Sequence, residues 1–125
     1  FFFFFLIPAV LISFAVTDFI IGYHTGTFFT WGSVLIIGLI SQLFKTNFSL
    51  RISGALFGAC IFFLVTNFGV WISGMYGYTF QGFLECYTLA IPFFTHTMIS
   101  TLFFSLIIEY LNKFFDFKKL LQKTT

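Results

Sequence analysis

Charge is what this 125-residue sequence has least of: six Lys/Arg and four Asp/Glu, 8% of the chain, against about 25% in an ordinary soluble domain. So few ionised groups cannot provide a solvated surface for a chain that is 59% hydrophobic and 25% aromatic, which excludes a water-soluble monomer. The net charge of +2 is too small for a nucleic-acid footprint. Cysteine is also scarce. Cys60 and Cys86 form neither a CxxC pair nor a zinc-type set with histidines, so no metal site is expected. Their predicted depths differ by about 18 Å at 1.5 Å per helical residue, too far for a disulfide. Catalytic signatures are missing as well: no GxxxxGK[ST], HExxH or GxSxG, and no paired carboxylates with a nearby base. The expectation is therefore a protein that is not an enzyme and carries no cofactor. Haem ligation by His24 and His96 fails on depth, because His96 falls about 13 Å inside its predicted helix. The first residues are Phe1 to Phe5 with no initiator methionine, which points to an N-terminus that is incomplete or processed. A cleaved signal peptide fits poorly, since a basic n-region and a small-residue cleavage site are both lacking.

Apolar sequence is abundant. A membrane-spanning helix needs about 20 predominantly apolar residues, and four such stretches stand at roughly 1–21, 28–44, 51–72 and 87–110. These long runs exclude a β-barrel and predict an all-α integral membrane protein, a compact bundle of four visible transmembrane helices. Lys45 and Arg51 flank the second connection, and Lys113, Lys118, Lys119 and Lys123 follow the fourth span. The connections at 22–27 and 73–86 contain no Lys or Arg, so the positive-inside rule predicts cytoplasmic visible termini and two outer loops. Residues 111–125 read as a cytoplasmic amphipathic tail, an interfacial helix drawn to anionic lipid or a helix that docks a partner. Trp31, Trp71, Tyr76, Tyr78 and Tyr87 fit an aromatic belt at headgroup level; a ligand lid over the bundle is the alternative.

Helices in lipid associate through small residues and interhelical hydrogen bonds. Gly54 with Gly58, and Ala55 with Ala59, form two small-xxx-small ladders on the third helix, a helix-packing surface. Asp18 lies about one turn inside the first span, where a carboxylate is costly and calls for a partner or a polar cavity. Near it in predicted depth are Tyr23, His24, Asn67, Trp71 and Glu85. In the fourth helix, Pro92 predicts a kink. His96 and Ser100 follow at four-residue spacing, and Thr97, Thr101 and Ser105 make a second polar stripe that must face protein or water. Asp18, His24, Asn67, Trp71, Glu85 and His96 are the candidate ligand contacts, with Asp18 as a helix cap and the hydroxyls as a packing seam standing as the plainer alternative. Glu109 pairs on paper with Lys113 at i, i+4.

The segments Phe62-Phe63-Leu64-Val65-Thr66-Asn67-Phe68-Gly69-Val70-Trp71, Gly82-Phe83-Leu84-Glu85-Cys86-Tyr87 and Ile91-Pro92-Phe93-Phe94, with Thr17-Asp18-Phe19-Ile20-Ile21-Gly22-Tyr23-His24, resemble the domain-of-unknown-function 6580 family of small bacterial membrane proteins. Its members look like transport proteins similar to S components of energy-coupling factor transporters. That resemblance implies a five- to six-helix fold of which four helices are visible here, and a bacterial inner-membrane location. Two positions depart from the family pattern: Thr95 and Thr101 stand where relatives tend to carry an arginine and an aspartate. An upstream Asn-Phe and proline segment usual in the family has no match.

Taken together, these features lead to an S-component-like subunit that captures a small metabolite or vitamin from the outer side, for uptake with a partner ATPase module. The competing expectation is a non-catalytic accessory subunit packed in a larger membrane complex. Expected partners are membrane lipid, other membrane subunits and, for uptake, a small-molecule ligand.

Overall fold

The computed structural model describes residues 2–44 and 46–123, with side chains placed for residues 8–44 and 46–116. Among them there is no strand. Four helices follow in chain order: α1 (Phe2–Ile21), α2 (Thr27–Ile40), extended by a 3-10 turn at Ser41–Phe44, α3 (Phe48–Ile72) and α4 (Phe80–Lys123). Among the described residues, three segments are long and apolar enough to cross a membrane: Thr27–Phe44, Phe48–Ile72 and Phe80–Asp116. In α1 the fully described part, Pro8–Ile21, is a shorter apolar helix. The chain is thus an all-α protein of the membrane type, as its composition requires.

Helix ends follow local chemistry. Gly22, at a φ of 98°, adopts the left-handed conformation that closes α1, its N–H donating to the Asp18 carbonyl at 2.8 Å. Asn47 caps α3 by accepting the Leu50 N–H at 2.9 Å, so α3 starts at Phe48 rather than at residue 51. Thr79 does the same for α4, its hydroxyl accepting the Gly82 N–H at 3.0 Å. Because of that cap, residues 80–86 are helical, and the loop expected over 73–86 shrinks to 73–79. Helix α4 continues through Pro92 and past residue 110 for 44 residues in all, about 66 Å at 1.5 Å each, twice the thickness of a hydrocarbon core. The segment after 110 is therefore a continuation of the fourth helix and not a separate one. Lys45, Lys118, Lys119 and Lys123, which carried much of the topology and tail expectations, lie outside the residues whose side chains are described.

Packing runs in chain order. Among the described residues, helix α1 meets only α2, α2 meets α3, and α4 meets only α3. The result is an open array with α3 at its centre. Ala59 and Cys86 are the buried hydrophobic residues among those described, so the helices meet along narrow seams and present most of their apolar side chains outward. The chain exposes 9485 Å², against about 6,800 Å² for a compact soluble protein of this size; lipid or other chains must cover the difference.

The α2–α3 seam depends on glycine. A Cβ built on Gly54 would lie 2.5 Å from Cβ of Phe44, one on Gly58 would lie 3.1 Å from Ile37, and one on Gly69 would overlap the Phe29 ring. The Gly54 and Gly58 ladder is thus spent inside the chain. Ala55 is half-buried, and Ala59 faces α4 across a cleft. Gly69→Ala should destabilise the protein by about 1 kcal/mol, the low end for overpacking because the obstacle is a side chain. Phe29→Ala in the same molecule should recover part of that loss. Additive effects in a double-mutant cycle of unfolding in detergent would show that the two residues do not meet.

Candidate functional site

The polar residues separate into two groups, one on each side of the array. At the α1–α2 seam, Asp18 occupies the last turn of α1 with 9% of its surface exposed. Its Oδ2 accepts the Trp31 Nε1–H at 2.8 Å, which meets the demand of a carboxylate placed near hydrocarbon. His24 sits in the connection, its carbonyl accepting the Thr27 N–H at 3.0 Å and its own N–H donating to the Thr27 hydroxyl at 3.3 Å. Tyr23, His24, Thr27, Phe28 and Trp31 line a largely apolar cleft of about 350 Å³ there.

At the α3–α4 seam, the Asn67 amide donates to the Phe63 carbonyl of its own helix at 2.8 Å. Two contacts then tie α4 to α3. The Cys86 thiol donates to the Asn67 carbonyl at 3.4 Å, and the Tyr87 hydroxyl donates to the Leu64 carbonyl at 2.7 Å. Trp71 packs against Phe68 and edge-on against Phe83, with ring centroids 5.8 and 5.5 Å away. Its indole N–H is buried and, among the described residues, without a partner. One helical turn deeper, Ala59, Phe62, Phe63, Thr66, Asn67 and Thr97, with facing aromatic residues of α4, line a cleft of about 220 Å³.

These two seams correct the single outer pocket expected from sequence. Asp18 and His24 belong to α1, α2 and their connection, Asn67 and Trp71 face α4, and Glu85 and His96 are exposed on α4. Among the described residues α1 touches only α2 and α4 touches only α3, and the structure brings Asp18 with Trp31, and Asn67 with Cys86, to separate seams. A second correction concerns Glu109. It pairs with Arg51 on α3, Oε1 to Nε at 2.5 Å and Oε2 to Nη2 at 2.6 Å, rather than with Lys113. A planar guanidinium matches both carboxylate oxygens, whereas an i, i+4 lysine supplies one point charge. Both cysteines are free, in line with the expectation of no disulfide, and no group of three potential metal ligands occurs among the described residues.

Trp31, Arg51 and Tyr87 are the residues whose contacts the sequence reading missed. For Trp31 a signal existed: an intramembrane carboxylate needs a donor, and an indole N–H stood on the next helix. Tyr87 and Arg51 find partners 23 and 58 residues away, which no local spacing announces.

Residues 3–121 match the model of a family described as "Family of unknown function (DUF6580)". No curated protein and no solved structure matches the chain.

Proposed function

The chain belongs to that family, whose description assigns no activity, and we propose from its own geometry that it is a non-catalytic membrane subunit that packs within a larger membrane assembly. The observation that carries this reading is the outer face of α4. Thr95, His96 and Ser100 are exposed there. The two hydroxyls bond back to carbonyls of their own helix: Thr95 to Ile91 and Ser100 to Thr97. His96 makes no hydrogen bond among the described residues. It stands 11 residues from Glu85 and 13 from Glu109, so it lies near the middle of the apolar stretch that these carboxylates bracket. An imidazole facing hydrocarbon at that depth is unfavourable, and a neighbouring transmembrane chain relieves it by hydrogen bonding. By the positive-inside rule, Arg51 and Lys113 support a reading in which their end of the helices lies in the cytoplasm.

Native mass spectrometry of the protein, extracted gently from its own membranes, tests the proposal. The expected result is an assembly of fixed stoichiometry that His96→Leu dissociates while membrane insertion persists. A wild-type protein that emerges as a monomer overturns it.

A second reading, capture of a small molecule for uptake with a partner ATPase module, draws support from the α3–α4 cleft, where Thr66, Asn67 and Thr97 stand among aromatic walls. The same spectra bear on it. A released metabolite or co-purified ATPase subunits, with the metabolite lost in Asn67→Leu, would favour uptake over a purely structural role.

A further inference from the structure

A third cleft, of about 560 Å³, opens between the start of α3 and the far part of α4, lined by Phe48 and Arg51 on one side and by residues from Leu106 to Asp116 on the other. Its lining changes in character along α4. Leu106, one turn before Glu109, forms the part nearest the apolar core, and Phe48, at the first position of α3, stands on the outer side of Arg51. Glu109 joins Arg51 in a bidentate ion pair across the gap, its side chain only 12% exposed. Beyond that pair, Lys113 stands level with the first turn of α3 and Asp116 extends past it, and among the described residues neither forms an ion pair. From Leu106 to Asp116 is ten residues, about 15 Å along the helix, enough to pass from hydrocarbon into the headgroup layer.

The charges that remain unpaired are of opposite sign and ordered. Lys113 and Asp116 are i, i+3 neighbours, with Cβ atoms about 5–6 Å apart on one face. A ligand that satisfies both must carry an anion and a hydrogen-bonding cation a short distance apart, with an apolar body attached on the anion's side. Phosphatidylethanolamine has this arrangement: a phosphodiester anion linked through two carbons to a primary ammonium, and acyl chains on the other side of the phosphate. Phosphatidylcholine has the same charges but no N–H to donate. Phosphatidylglycerol has no cation, which leaves Asp116 facing a net negative lipid.

We propose that this cleft binds one phosphatidylethanolamine, with the phosphate held by the Lys113 ammonium beside Phe48, the ethanolamine ammonium by the Asp116 carboxylate, and the acyl chains against Tyr110 and Leu106. The Arg51–Glu109 pair forms the floor, joining the two helices beneath the headgroup. The site is independent of what covers the outer face of α4, so either proposal can fail without the other.

The test uses the full chain, delipidated in detergent and offered phosphatidylethanolamine, phosphatidylcholine and phosphatidylglycerol of identical acyl composition in equal amounts, with retained lipid read by native mass spectrometry. Phosphatidylethanolamine should exceed phosphatidylcholine by about tenfold, the worth of one charge-assisted hydrogen bond. Asp116→Asn should remove that preference while leaving phosphate binding, and Lys113→Gln should reduce retention of all three lipids. Both side chains stand at the rim, and the Arg51–Glu109 contact remains as an internal control of the fold. Equal retention of the three lipids, a preference for phosphatidylglycerol, or an unchanged preference in Asp116→Asn would each overturn the assignment.

Discussion

Gly82→Ala is expected to cost about 3 kcal/mol of stability, the upper end of the range for overpacking, and to loosen the contact between the 73–79 connection and α4. A Cβ at this position would overlap the carbonyl oxygen of Tyr76 and come within 2.7 Å of that of Gly77. Both obstacles are backbone. A side chain in the way can rotate aside, as Phe29 can before Gly69, but these carbonyls are held by a turn in which the Gly77 N–H donates to the Gly74 carbonyl at 3.0 Å. Gly74 and Gly77 themselves take φ values of 84° and 75°, so the turn has few other conformations to adopt. Moving it would also disturb the Thr79 cap and the packing of Phe83 on Trp71. The comparison is Gly32→Ala, a helical position where an added Cβ meets nothing within 4 Å, for which no loss is expected. The measurement is unfolding of both variants by SDS titration in mixed micelles, followed by tryptophan fluorescence. Equal midpoints for the two would show that the chain does not pass this close to α4.

The contrast between those glycines shows how far a sequence can be read. Helices were legible because their cause is local. Long apolar runs must hydrogen-bond their own backbone in lipid, and the glycine-bearing breaks at 22–26 and 73–79 stand where the runs stop. Even the errors in boundary had readable causes, since Asn47 and Thr79 are N-cap residue types placed just before α3 and α4. Glycine spacing on α3 announced close packing, and Gly54 and Gly58 do pack closely. It could not say against what, because spacing along one helix carries no information about the neighbour. The grouping of the candidate site residues was illegible for the same reason. Asp18, Asn67 and Glu85 share a predicted depth, but depth is one coordinate of three. Among the described residues α1 contacts α2 and α4 contacts α3, so equal depth did not make these residues neighbours. Glu109 repeats the point. Within a helix the nearest cation was Lys113, and the fork of Arg51 from another helix is the better electrostatic match.

The second large effect concerns Asp18. Trp31→Phe preserves most of the aromatic bulk and deletes one N–H, the donor that holds Oδ2 at 2.8 Å. With 9% of its surface exposed, the carboxylate has little water to turn to, so the loss should be about 2–3 kcal/mol, in the range for a hydrogen bond to a charged group. Asp18→Asn keeps an oxygen acceptor in the same place and removes the charge that is unfavourable near hydrocarbon; it should therefore cost much less. The informative molecule is the double variant. If the Trp31 N–H matters only because a carboxylate needs it, adding Trp31→Phe to Asp18→Asn should cost about 1 kcal/mol or less, the worth of a neutral hydrogen bond. The remainder is then coupling between the two residues. Trp31→Phe costing the same in both backgrounds would mean that the indole acts through its packing in the α1–α2 cleft. Because, among the described residues, α1 meets the rest of the protein only through α2, this one bond bears on whether the first helix stays docked. Loss of protection of residues 13–21 in hydrogen exchange, with α3 and α4 unchanged, is the expected signature of Trp31→Phe.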